Sequence, residues 1–219
     1  MKRLVLFLVI LLPGLLWNAQ AQSLKTLNKP LLEGLDQVAP FHEGLAAVRK
    51  ADQWGFINTD GELVIDFRDD LVWNASPDPE ALGVRAVAYP HFQDGRCMIR
   101  ALGEEEIPVY GFIDTEGRTA IEPEYLNLTE FQNGNAIGVH VKKTFRGTNN
   151  FQLNIYDYSF TEVVLNPQGE AVWPLGEVQD ILMKKRRYSL PPVRAKLLGN
   201  QLVAVETTPG KWEVRKIQY

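Results

Sequence analysis

Cysteine is almost missing from this chain. Cys97 is the only one in 219 residues, so no internal disulfide forms and the fold is held by its core. It lies in the apolar run Cys97-Met98-Ile99, where a buried, inert thiol is expected. Histidine is scarce as well. His42, His91 and His140 are the whole set, each 49 residues from the next, with none of the short spacings of a zinc site. There is no Gly-x-Ser-x-Gly, no His-Glu-x-x-His and no phosphate loop. Carboxylates are plentiful, but none stands out from turn duty; Asp60 and Asp114 have a full explanation in hairpins. No catalytic residue, metal or cofactor is therefore expected, and a hydrolase is the least favoured reading. An excess of positive charge is also lacking. Setting aside Lys2 and Arg3 lowers the 23 basic residues to 21 against 27 acidic ones, a net charge of −6. Such a chain has no general attraction for nucleic acid.

Long apolar runs are confined to the front end. Lys2-Arg3, then the run Leu4 to Trp17, then Ala19-Gln20-Ala21 has the form of a secretory signal peptide, with cleavage expected after Ala21. The run is short for a membrane span, which needs about 20 residues. No later segment is apolar enough to cross a membrane. The expectation is an exported protein, periplasmic or extracellular, whose mature chain is one domain over residues 22–219.

What the chain does have is a repeat. Residues 54–65 read WGFINTDGELVI, 110–121 read YGFIDTEGRTAI, and 162–173 read EVVLNPQGEAVW. In each, Gly falls seven residues after the first position and four before the last. Two strand-like runs flank a turn, and Asp60-Gly61 is a strong hairpin signal. Gly55 and Gly111 sit inside strands, where they leave room for a close neighbour, read here as an aromatic ring. A second element precedes each hairpin. Phe41-His42-Glu43-Gly44, Phe92-Gln93-Asp94-Gly95 and Phe131-Gln132-Asn133-Gly134 each lead into a short strand, with Gly in a turn that needs positive φ. Measured from these phenylalanines the histidines fall at unequal offsets, so they are not expected to stack on one line. Leu35-Asp36-Gln37-Val38 aligns with Tyr125-Leu126-Asn127-Leu128, making residues 30–40 the tail of a truncated leading unit. Leu202-Val203-Ala204-Val205 with Lys211-Trp212 starts a ragged final one, Trp212 standing for Trp54 and Glu213 for Gly55. The units run about 30–40, 41–91, 92–130, 131–180 and 196–219.

These residues resemble the WG repeat family, whose pattern is roughly Phe-x-x-Gly-Leu-Ala-x-Val followed by Trp-Gly-Phe-Ile-Asp-x-x-Gly. Residues 41–65 match almost throughout, 92–125 match with Tyr110 for Trp, and 131–173 match only at the ends. The resemblance implies an all-β array of short antiparallel sheets, about three strands per unit, as an open stack or a partial propeller-like ring. It implies a binding or structural module and carries no shared activity.

Departures from the repeat are where function is sought. Phe41 to Phe92 is 51 residues but Phe92 to Phe131 only 39, the excess lying near residues 68–88 in a loop. In the third unit, Lys142 to Asn150 reads as a polar connection and Phe151 to Tyr156 as an added strand. Trp73 and Tyr89 flank the first insertion without a repeat role, and they are the weak candidates for a sugar or peptide platform. Lys184-Lys185-Arg186-Arg187 reads as a solvated loop and Glu104-Glu105-Glu106 as an acidic strand tip. The functional expectation is a non-enzymatic interaction or scaffold module with a protein or envelope partner. A glycan- or cell-wall-binding module is the alternative.

Overall fold

The computed structural model describes residues 28–199 and 201–218. The signal peptide expected over 1–21 lies outside the described residues. Residues 28–34 belong to a unit apart from 35–219 and contain no strand. The rest is all-β, with fourteen strands in chain order. They are β1 (Gln37–His42), β2 (Leu45–Lys50), β3 (Gln53–Ile57), β4 (Leu63–Arg68), β5 (Cys97–Leu102), β6 (Pro108–Ile113), β7 (Thr119–Leu128), β8 (Ala136–Thr148), β9 (Asn154–Leu165), β10 (Ala171–Pro174), β11 (Gln179–Asp180), β12 (Ala195–Leu197), β13 (Leu202–Thr208) and β14 (Lys211–Lys216).

Sheet order follows chain order: β1 to β4, then β5 to β10 with β11 added on β9, then β12 to β14. The first two sheets are bridged by Leu71 opposite Ile99, with Val72 N donating to Met98 O at 3.1 Å. The long β7 shows why the array is continuous. Its first half pairs with β6 and its second half with β8, so one strand closes a unit and opens the next. Three strands per period result.

The register repeats with the sequence. Ala47 opposite Phe56, Met98 opposite Phe112, Ile137 opposite Val164 and Ala204 opposite Val214 are equivalent pairs. Trp212 lies opposite Glu206 as Trp54 lies opposite Arg49, which is the place its spacing implied.

Two hairpin turns alternate, and the structure redistributes their chemistry. The tight two-residue turn is the one after the repeat phenylalanine. Glu43 and Gly44 sit at φ 52° and 79°, and the pairs Asp94-Gly95 and Asn133-Gly134 are also both left-handed. That is a type I′ turn, whose twist matches the strands it joins. The turn containing Asp60-Gly61 is longer, and only its glycine has positive φ. Its organiser stands three residues before the glycine. Asn58 Oδ1 accepts from Asp60 N at 3.0 Å and Glu62 N at 2.9 Å. Asp114 does the same for Glu116 and Arg118, and Asn166 for Gln168 and Glu170. So Asp114 has the turn role expected of it, whereas in the first unit the role belongs to Asn58 and not to Asp60.

The strand glycines also need correcting. A Cβ on Gly55 would lie 2.8 Å from Ile65 O, and one on Gly111 would fall on Ile121 O with Pro123 N at 2.7 Å. What approaches is the backbone of the next strand at a bulge, not an aromatic ring.

Each core draws on two consecutive units. Trp54 and Phe56 pack with Phe92, Cys97 and Ile113; Met98 and Phe112 with Phe131, Ala136 and Leu165; Ile137 and Val164 with Val203, Val205 and Ile217. Phe56 meets Phe92 at a ring-centroid distance of 4.8 Å, and Phe112 meets Phe131 at 4.9 Å. Such a unit does not bury its apolar face alone. A polar ladder runs alongside. Both carboxylate oxygens of Glu43 accept from the next turn, Asp94 N at 2.7 Å and Gly95 N at 2.8 Å, and Asp94 Oδ2 then accepts from Gly134 N at 2.7 Å. Glu43→Ala is expected to cost about 1 kcal/mol, a charge-assisted bond discounted for its exposure. Urea titration of residues 22–219 checks this.

The third unit departs most. Where β2 turns back after Lys50, β8 continues through Lys142 to Thr148, paired with β9 from Asn154 to Ser159 around one bulge between Phe145 and Gly147. The stretch read as a polar connection is thus one arm of a ribbon. Its tip reuses the Asx turn, with Asn149 Oδ1 accepting from Phe151 N and Leu153 N, and Gln152 at φ 61° in the glycine place. The acidic tip braces it. Glu104 accepts from Lys143 Nζ at 2.5 Å and Tyr158 Oη at 2.6 Å, contacts that hold its carboxyl below the usual carboxylate range. Glu106 pairs with Lys185 of the basic run, which is an exposed turn. Glu162, in the place of Trp54, is half-buried. Burial raises its carboxyl above the usual range, and it accepts from Arg194 N at 2.6 Å, tying the approach to β12 onto β9.

Candidate functional site

The insertion before β5 and the segment between β11 and β12 meet on one side chain. Asn127 is 1% exposed, inside β7. Its Oδ1 accepts from Val84 N at 3.0 Å, in the insertion before β5, and from Leu128 N at 2.9 Å. Its Nδ2 donates to Pro191 O at 2.9 Å, in the segment between β11 and β12. Gly83, at φ 80°, opens the 3-10 turn Gly83–Ala86, and the Asn127 carboxamide leaves no room there for a Cβ. Within the insertion, Asn74 Nδ2 donates to Val84 O at 2.7 Å and Val87 O at 2.9 Å. A side chain in the middle of a strand thus staples both insertions to the sheet. Asn127→Ala strands Val84 N–H and Pro191 C=O in the interior, and a stability loss of about 2 kcal/mol is expected by urea titration.

Two clefts flank this staple and share Ala81, Leu82 and Lys196. The first, of about 450 Å³, is lined by Tyr89, His91, Glu130, Gln132 and Lys196 over Met98. The second, of about 460 Å³, is lined by Arg85, Glu206, Leu190 and Trp212.

The first cleft holds a polar cluster. His91 Nε2 lies 3.1 Å from Glu130 Oε1, and its Nδ1 lies 3.2 Å from the Tyr89 carbonyl oxygen. Both ring nitrogens thus face acceptors, which only the doubly protonated imidazolium satisfies. The bond to Glu130 accordingly holds the His91 pKa above its ordinary value near 6.5, against the effect of burial. His42 Nε2 lies 3.3 Å from Tyr89 Oη, and the rings of His42 and His91 are 4.7 Å apart. Unequal offsets did not keep these two histidines apart, because the insertion carries His91 back over the first hairpin. His140 stays away, against Tyr125 at 5.8 Å. Among the described residues no cluster of three or more His, Cys, Asp or Glu is placed to hold a metal ion.

A folded-state pKa raised above the unfolded one means that the stabilisation is complete below about pH 6.5 and is lost as pH rises through the raised value. The wild-type chain is therefore expected to lose more stability than His91→Gln between about pH 6 and pH 8. Urea midpoints of both chains at the two pH values test this. Cys97 lies beneath, fully buried, and burial pushes its thiol pKa up, away from reactivity.

Trp73 and Tyr89 are placed differently. Trp73 is half-buried and packs edge-on against Trp54 at 5.8 Å, with the Arg49 guanidinium 5.1 Å from its ring. Tyr89 lies in the first cleft. Sequence reasoning passed over Asn127, Glu130 and Lys196. The one local signal was an amide set between leucines in Tyr125-Leu126-Asn127-Leu128.

Comparison with curated proteins and with solved structures yields no match. The family described as WG containing repeat matches at residues 28–53, 54–68 and 110–137. These segments hold β1 to β4, most of β6, β7 and the start of β8. Those matches show WG repeats in these three segments of the chain.

Proposed function

We propose that the chain is a non-enzymatic interaction or scaffold module, exported after cleavage near Ala21, that binds a protein partner through the β8–β9 ribbon. One observation carries this reading. The outer ribbon leaves Phe145, Phe151 and Leu153 exposed at 57%, 84% and 64%. Apolar side chains left this exposed on a hairpin, Phe145 edge-on to Tyr156 at 5.6 Å among them, add little to the stability of the monomer and suit a contact surface. Beyond His140 the outer edge of β8 pairs with no strand among the described residues. Its main-chain groups suit an extended segment of a partner, while Lys142, Lys143 and Arg146 guard it against indiscriminate pairing.

The test joins Val141 to Phe160 through Asn-Gly, which removes the outer ribbon and keeps the inner hairpin. The shortened chain is expected to keep the wild-type far-UV spectrum and to lose a partner that the mature wild type recovers from an envelope or secreted fraction. Recovery of the same partner by both chains, or of none by the wild type, overturns the proposal.

A second reading, glycan binding, is favoured by the first cleft alone. There Tyr89 offers a partly exposed ring beside Gln93, Glu130 and Gln132. Tyr89→Ala should then abolish binding on a broad glycan screen, and a blank screen for the wild type ends that reading.

A further inference from the structure

Among the described residues the array stops one strand short. Among the third strands of the units, β3 is covered by β4 with Phe56 opposite Ile65. In the same way β6 is covered by β7 with Phe112 opposite Ile121, and β9 by β10 with Val164 opposite Trp173. The equivalent strand β14 has β13 on one side and no described strand on the other. The consequence shows in exposure: Trp212 and Val214 are 43% and 63% exposed, where Trp54 and Phe56 are at 1% and 0%.

The missing piece is present at the other end of the same chain. Counted back from Phe41 and Phe131, residues 28–36 occupy the positions of 118–126, the strand that covers β6. Leu31 stands in the place of Ile121 and Leu35 in the place of Tyr125. Ile121 is 5% exposed, but Leu31 is 77% exposed and residues 28–34 form no strand. The WG-repeat match begins at residue 28, so this segment is repeat sequence and not a leader.

We propose that residues 28–36 of a second copy of this chain add antiparallel to β14 as its fourth strand, with Leu31 opposite Val214 and Leu35 opposite Trp212. The continuous strand 28–42 of the incoming copy then does what β7 does, closing one unit and opening the next. Glu213 in the place of Gly55 does not prevent it, since β9 carries Val163 there and still pairs with Pro174. Pro30 falls near the start of the added strand, where a missing N–H is tolerated. The contact joins two different surfaces, so it propagates head to tail or closes into a ring; it does not make a two-fold dimer. The ribbon proposal does not depend on it.

Two variants of residues 22–219 that each add one exposed cysteine to the buried Cys97, Leu31→Cys and Val214→Cys, are mixed under mild oxidation and run on a non-reducing gel. A disulfide-linked dimer in the mixture, at least tenfold above either variant alone, is the expected result. Wild-type mass by light scattering is expected to rise with concentration, and Leu31→Asp to return the chain to monomer with an unchanged far-UV spectrum. No mixed disulfide together with a monomeric wild type overturns the proposal. So does a double variant, Leu31→Cys with Val214→Cys, that links only within one chain, because the segment then serves its own β14.

Discussion

Phe131→Ala is expected to destabilise the chain by about 4 kcal/mol, while the same change at the equivalent Phe41 costs under about 1 kcal/mol. The two residues open the same turn in different units. Phe131 is 1% exposed, with its ring edge-on to Phe112 at 4.9 Å. Phe41 is 51% exposed, and no preceding described residue offers it the partner that Phe56 and Phe112 offer Phe92 and Phe131. Removing Phe131 opens a cavity between two units, and the rigid strands on either side do not collapse to fill it. Removing Phe41 gives up only a half-covered contact. Equilibrium urea unfolding of both variants gives the contrast, and equal losses would show that the units are stabilised from within and not by their neighbours.

Gly111→Ala carries the second large effect, about 3 kcal/mol, again by urea unfolding. The added methyl meets Ile121 O, Pro123 N and Glu122 C, all backbone atoms of the paired strand, and none of them can turn aside as a side chain would. The bulge between Tyr110 and Phe112 has to widen, and the β6–β7 pairing that links the second unit to the third goes with it. Gly55→Ala is milder, since one of its close contacts is the flexible end of Leu63 at 3.1 Å. Gly138 is constrained for a different reason, by the side chains of Tyr125 and Leu165 at 2.8 and 2.9 Å. Gly44→Ala is a useful companion. A Cβ there meets nothing within 4 Å, so any loss reports the strain of φ 79° alone.

The repeat made the strands and their register legible. Spacing alone set Trp212 opposite its partner at the position of Trp54, because a period fixed by sequence is also a period in hydrogen bonds. The chemistry of the turns was less legible. Asp60-Gly61 does mark the β3–β4 hairpin, but its turn works through Asn58, as the second works through Asp114, while the two-residue turns take Glu43 or Asp94 as their first residue. The ribbon was hidden by its composition. A two-stranded element wet on both faces needs no apolar alternation, so Lys142 to Asn150 reads as a loop. The staple at Asn127 and the His91–Glu130 pair were hidden by distance, their contacts spanning 64 residues from Asn127 to Pro191 and 39 from His91 to Glu130. Nothing local in either insertion announces which strand it will cover.

The Trp-Gly and Tyr-Gly hairpins build the array, and the proposed binding belongs to the ribbon where the repeat is broken. Hydrogen exchange of the mature chain, alone and in complex with the captured partner, tests that division most directly. Protection gained across residues 142–159, with none gained at 54–57 and 110–113, is the predicted result. Protection gained at the two hairpins with the ribbon unchanged would contradict it.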